Sequence, residues 1–225
     1  MKKVFLNLLI LWLVLLPGCR PWPFAPALKF TGTLETTEHN VGARVAGRVA
    51  EVFVKEGEKV KRGQLLATLD RFEQAQKDYA RAQKIFAKGG LSEQALEQAQ
   101  WTLDDQQILA PVDGEVLLKV HESGEVVSAG ATVAVIADLS RQWVKIFVPE
   151  GQINRLRMGQ KAWVRMDGLR DAKSAHVTFI AVQAEFTPRN VQTPEERVTQ
   201  TFGVKVSLED PGTLRPGVAA DVTFE

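Results

Sequence analysis

One segment of this chain occurs twice: GRVAEVFVKEGEKVKRGQLLATL, from Gly47, returns as GEVLLKVHESGEVVSAGATVAVI, from Gly114. Gly47 aligns with Gly114, Gly57 with Gly124 and Gly63 with Gly130, all at one offset of 67 positions (114 − 47). Val49 and Val116, Glu58 and Glu125, Val60 and Val127, and Leu66 and Val133 keep the same register. Glycines repeated in this way read as structural turns, and β-branched Val45, Val49, Val52 and Val54 read as short strands between them. One copy is half of a small β-sandwich with its apolar face open, so it needs the second copy to close a core.

Between the copies the period changes. Phe72, Ala75, Tyr79, Ala82 and Phe86 step by three and four residues, and Leu96, Ala99 and Leu103 resume the pattern after KGGLS. That spacing predicts two amphipathic arms of an antiparallel coiled-coil hairpin, broken at Gly89 and Gly90. Ser92 is placed to cap the second arm. Arms of about 16 residues reach roughly 25 Å at 1.5 Å per residue.

From Asp138 onward, runs such as Trp143–Val148, Lys161–Met166, His176–Ala184, Phe202–Leu208 and Val218–Phe224 read as strands of a barrel, with a helical turn at Ile153–Met158. The stretch Lys29–Glu38 precedes the first repeat without a core of its own, and we assign it to the same barrel. The expected fold class is mainly β with an α-helical hairpin. The expected segments are a signal peptide (1–18), a tether (19–28), a first barrel strand (29–38), half-sandwich 1 (39–70), the hairpin (71–107), half-sandwich 2 (108–137) and the barrel (138–225).

A formal charge of +1 on 225 residues, with basic groups scattered, points away from a nucleic-acid partner. His39, His121 and His176 lie in no metal-ligand spacing, and no GxSxG, P-loop or GxGxxG occurs. Asp167, Asp171 and Glu185 have nothing in the sequence to fix them together, and Glu195, Glu196 and Arg197 read as a polar loop. No enzyme and no cofactor is expected.

Lys2, Lys3 and the apolar run Leu8–Leu16 read as a secretory signal, shorter than the about 20 apolar residues that span a bilayer, with an uncleaved anchor as the alternative. Leu16-Pro17-Gly18-Cys19 resembles the lipobox of bacterial lipoproteins, which implies lipidation at Cys19. Trp22 and Phe24 in the proline-rich tether are candidates to rest at the membrane interface.

Taken in order, GRVAEVFVKEGEKVKRGQLL, the interrupting hairpin, LAPVDGEVLLKV, AEFTPRNVQTPEERVTQTFGVKV and LRPGVAADV resemble the periplasmic adaptor subunits, or HlyD-like membrane fusion proteins, of tripartite efflux and secretion systems. The resemblance spans about Lys29 to Glu225. It implies a lipoyl-like split sandwich, a homo-oligomeric ring, an inner-membrane transporter and a TolC-like outer-membrane channel as partners, and a place on the periplasmic side of the inner membrane of a Gram-negative bacterium. In adaptors that dock on such channels, the hairpin tip carries an Arg, an aliphatic residue four positions on and a Ser seven further. Arg81, Ile85 and Ser92 match, with Ile for the usual Leu.

Two departures stand out. The hairpin is shorter than in most adaptors, and no membrane-proximal domain of the kind that proton-driven pump adaptors carry beyond the LRPG strand is expected. The segment FTPRNVQT is more similar to adaptors of ABC-type exporters, which makes that transporter class the first expectation and an RND pump the second. A biotinyl or lipoyl carrier and a transport-deficient paralogue are further alternatives. A carrier presents one lysine on a tight turn between its halves, and here Lys77, Lys84 and Lys88 sit instead on helical positions among other charges.

Overall fold

The computed structural model of the chain describes residues 28–186, 200–212 and 214–224. The expected signal peptide, Cys19, the aromatic tether residues and the loop with Glu195, Glu196 and Arg197 lie outside the described residues. The chain opens with β1 (Lys29–Gly42), then β2 (Gly47–Val52), β3 (Lys59–Val60) and β4 (Leu65–Leu69). Helices α1 (Phe72–Phe86) and α2 (Glu93–Asp104) follow, and then β5 (Gln107–Leu109), β6 (Gly114–Lys119), β7 (Val126–Val127) and β8 (Thr132–Pro149). A short α3 (Glu150–Ile153) leads into β9 (Lys161–Met166), β10 (Lys173–Ile180), β11 (Glu185–Phe186), β12 (Gln200–Leu208) and β13 (Ala219–Phe224). The helical turn thus falls a few residues earlier than the pattern of Ile153–Met158 suggests, directly behind Pro149, whose fixed φ suits a helix start.

The two repeats interlock. β2 of the first pairs with β7 of the second, and β3 of the first with β6 of the second. Backbone bonds obey the same exchange: Gly57 N donates to Val116 O and Gly124 N to Val49 O, each at 2.7 Å. Gly63 N to Ala110 O and Gly130 N to Ala43 O follow suit, both at 2.8 Å. The core between the halves holds the equivalent pairs Val49 and Val116, Val60 and Val127, Leu66 and Val133, and Leu69 and Ile136, all buried. Each half therefore completes the other's sheet as well as its core.

The glycines divide into two kinds. Gly57, Gly63, Gly124 and Gly130 turn the chain at φ of 80°, 82°, 97° and 84°, a region costly for residues with a Cβ. Gly47 and Gly114 instead open strands β2 and β6. A Cβ on Gly114 would meet Ala137 O at 2.2 Å and Ile136 Cγ2 at 2.7 Å, whereas on Gly47 its nearest neighbours stand at 3.4 Å. We expect Gly114→Ala to cost about 1–3 kcal/mol in a urea melt and Gly47→Ala well under that. Equal costs at the two sites would refute the packing argument.

β8 also joins the barrel. Its pairing with both β1 and β12 closes the ring β12-β10-β9-β13-β1-β8, which leaves those strands without free edges. Alternate residues point inward, among them Val144, Ile146 and Val148 of β8 and Val204, Val206 and Leu208 of β12, around Leu34. Phe30 and Phe224 meet edge to face at 6.1 Å beside the point where the chain enters.

The two cores meet along β1 and β8. The pairing shifts between Thr36 and Thr37, leaving Leu139, Ser140 and Arg141 as a bulge opposite them. The Thr36 hydroxyl lies against the carbonyls of Asp138 and Arg141, and Asp138 accepts from Ser140 N at 3.0 Å. The segment limits expected at 38/39 and 137/138 fall inside these strands, because the backbone ladder continues while the bulge hands the side chains from one core to the other.

The hairpin grows from the sandwich between β4 and β5, which pair with each other and so hold its two feet together. Ala75, Ala82 and Leu103 are buried in the seam, and Tyr79 Oη donates to Gln100 Oε1 at 3.4 Å across it. The arms hold 15 and 12 residues, about 20 Å of helix. The second is shorter than expected because the chain returns to strand at Gln107. No helix among the described residues is long and apolar enough to cross a membrane.

Candidate docking site on the helical hairpin

Arg81 and Ile85 lie one turn apart on the exposed side of α1. Arg81 Nη1 stands 3.3 Å from Asp78 Oδ1, an exposed pair on the same helix. Such a pair holds an arginine only weakly, so the guanidinium keeps donors for a carboxylate or carbonyl arriving from outside. Ile85 is 39% exposed near the end of its helix.

Beyond it the chain reverses through Gly89, at φ 73°, with Gly90 N donating to Ile85 O at 3.0 Å. Ser92 follows as the N-cap of α2, its Oγ accepting from Ala95 N at 3.2 Å. The cap uses a lone pair and leaves the hydroxyl proton free to donate outward. Ile85 and Ser92 thus flank the tip and Arg81 stands one turn below. The site is an exposed knob with one cation, one aliphatic surface and one donor, suited to binding another protein. The sequence pattern located these residues but missed the Asp78 partner, which its three-residue spacing from Arg81 encodes.

The remaining titratable candidates stay apart. Asp167 and Asp171 lie beyond one end of β10 and Glu185 beyond the other, separated by a strand of eight residues, about 26 Å. His121 Nδ1 lies 2.7 Å from Glu125 Oε2. That contact, followed by the backbone bond at Glu122, holds the Glu125 carboxyl below its ordinary range. Among the described residues no group of three His, Cys, Asp or Glu could hold a metal ion.

Residues 37–139 match the family model described as "RND MFP, barrel-sandwich hybrid domain". Over 130 residues the chain is 31% identical to a "UPF0194 membrane protein" of Citrobacter koseri, a stretch that is 56% of this chain and 39% of that protein. A chimera of MacA bearing the α-hairpin domain of Pseudomonas aeruginosa MexA superposes with a TM-score of 0.63 at 24% identity, covering 88% of this chain and 78% of the chimera. ZneB from Cupriavidus metallidurans gives 0.58 at 22% identity, covering 88% of this chain and 97% of its own. Residues 37–139 are thus similar to the barrel-sandwich hybrid domain of the membrane fusion proteins, and the chain shares its fold with these solved structures.

Proposed function

We propose that the chain is a periplasmic adaptor that couples an inner-membrane exporter to a TolC-like outer-membrane channel. One observation carries this reading: where a carrier would present its lysine on a tight turn, this sandwich holds a helical hairpin whose feet are fixed by β4 and β5 and whose tip is exposed. The work done is assembly. Copies associate, the sandwiches and hairpins line a conduit, and the hairpin tips with Arg81, Ile85 and Ser92 meet the channel. Lipidation at Cys19 and the tether to Leu28 would hold the barrel beside the inner membrane.

The resemblance of Phe186–Thr193 favours an ABC-type transporter. The matched family description, which names RND systems, supports an RND pump as the second reading. Crosslinking in cells followed by purification of the tagged chain is expected to recover a transporter and an outer-membrane channel, and the transporter's class decides between the two. Restoration of export in a strain lacking its adaptor is the second expected outcome. Recovery of a biotinylated or lipoylated lysine by intact-mass measurement would overturn the adaptor reading. Normal folding with no rescue would mark a transport-deficient paralogue.

A further inference from the structure

The two arms of the hairpin carry opposite charge. From Arg71 to Lys88 the basic residues are Arg71, Lys77, Arg81, Lys84 and Lys88 against Glu73 and Asp78; from Ser92 to Asp105 there are Glu93, Glu97, Asp104 and Asp105 and no base. On α1, Lys77, Arg81, Lys84 and Lys88 step by four, three and four residues along the side away from the seam, and all are exposed. On α2, Glu93 and Glu97 are exposed and Asp104 is half-buried.

Among the described residues no ion pair crosses from one arm to the other. Lys77 and Arg81 pair within α1, with Glu73 and Asp78, and Asp105 pairs with Arg44 at 3.9 Å. Trp101 stands on the acidic arm with 57% of its surface exposed.

We infer that these faces are made for each other in neighbouring copies, α1 of one chain lying antiparallel against α2 of the next. The inference rests on the adaptor reading and specifies the contact through which its copies pack. The register supports it. Setting Lys84 opposite Glu97 also sets Lys77 opposite Asp104, Lys88 opposite Glu93 and Trp101 opposite exposed Ala80, because each pair is displaced equally along antiparallel helices.

Within one hairpin Tyr79 is level with Gln100. The proposed contact between copies differs from that level by only two residues, about 3 Å of rise, so hairpins standing side by side meet it with little slide. Trp101 then covers the alanine between Lys77 and Lys84, where an indole face can also take a lysine ammonium. Since the basic face sits on one arm and the acidic face on the other, the contact is head-to-tail and repeats from copy to copy. A second copy is therefore the occupant that the charges and the register select.

Charge reversal in two complementary sets tests this on the full chain in detergent. One variant carries Lys77→Glu, Lys84→Glu and Lys88→Glu; the other carries Glu93→Lys, Glu97→Lys and Asp104→Lys. Sedimentation should show the parent associating and either variant alone at least about tenfold weaker, with the one-to-one mixture restored, since close charge pairs dominate such contacts. Carbodiimide, which joins amines directly to carboxylates, should link Lys84 of isotope-labelled chains to Glu97 of unlabelled ones.

Circular dichroism of each variant separates a lost contact from a lost helix, and a mixture that associates shows both partners folded. The inference is overturned if a variant alone associates as the parent does, if the folded mixture stays apart, or if the parent forms no links between chains. Rescue of export by the parent reads out the adaptor function separately, so the contact can fail while that reading stands.

Discussion

Truncating Leu66 to alanine is expected to lower the stability of the protein by about 2–5 kcal/mol, a large part of what a domain of this kind has. Leu66 is 0% exposed on β4, the strand held between β2 and β5. Its equivalent in the second repeat, Val133, is buried in the same core. A cavity there cannot close easily, because the surrounding strands are fixed to the other repeat by the exchanged pairings of β2 with β7 and β3 with β6. Both halves should therefore lose order together. Helices α1 and α2 should follow, since their feet are β4 and β5.

The comparison is Val126→Ala on the short strand β7, where the side chain is 72% exposed and the expected change lies within about 0.5 kcal/mol. Urea unfolding followed by far-ultraviolet circular dichroism measures both. A cost below about 1 kcal/mol for Leu66→Ala would mean that the sandwich repacks freely and that the repeats do not share one close-packed core.

The repeat was legible because its signal is redundant: turn glycines and apolar positions recur at one offset, and each supports the other. Which strands exchange partners was not legible. Alternation along β2 places Val49 inward whether the strand pairs with its own repeat or with the other, so the pattern is blind to the swap. The long strand β8 was hidden for a different reason. Asp138, Ser140, Arg141 and Gln142 interrupt the apolar run and suggest the boundary at 137/138, yet in the structure a bulge at Leu139, Ser140 and Arg141 absorbs the interruption and the ladder resumes at Gln142. Gln142 is 2% exposed and donates to Leu214 O at 2.7 Å, a contact with a distant loop that no local pattern encodes.

At the hairpin, periodicity located the seam and residue spacing located the tip. The opposed charge of the two outer faces was equally present in the sequence. It acquires meaning only once the arms are known to be antiparallel and level at Tyr79 and Gln100, because only then do the acidic and basic stripes share one register.

On the proposed adaptor reading, Arg81→Asp is expected to weaken capture of a TolC-like outer-membrane channel by more than about tenfold while leaving the fold intact. The asymmetry follows from what Arg81 touches. Inside the protein its ion-pair partner is Asp78, an exposed neighbour on the same helix, worth a few tenths of a kcal/mol. Reversal places two carboxylates three residues apart, which costs the helix a similar amount. Against a channel tip that supplies carboxylates or carbonyls, the same change replaces several donors by a repelled charge.

Arg81→Lys should recover part of the capture, since it restores charge but not the planar fork. At Ser92, asparagine is the informative replacement, because it preserves the cap that alanine would remove at about 0.5–2 kcal/mol. Capture of the purified channel by each full-length variant, measured beside its melting temperature, gives the answer. A parent-like capture by Arg81→Asp removes Arg81 from the docking surface. A loss matched by an equal loss of melting temperature assigns the residue to the helix instead.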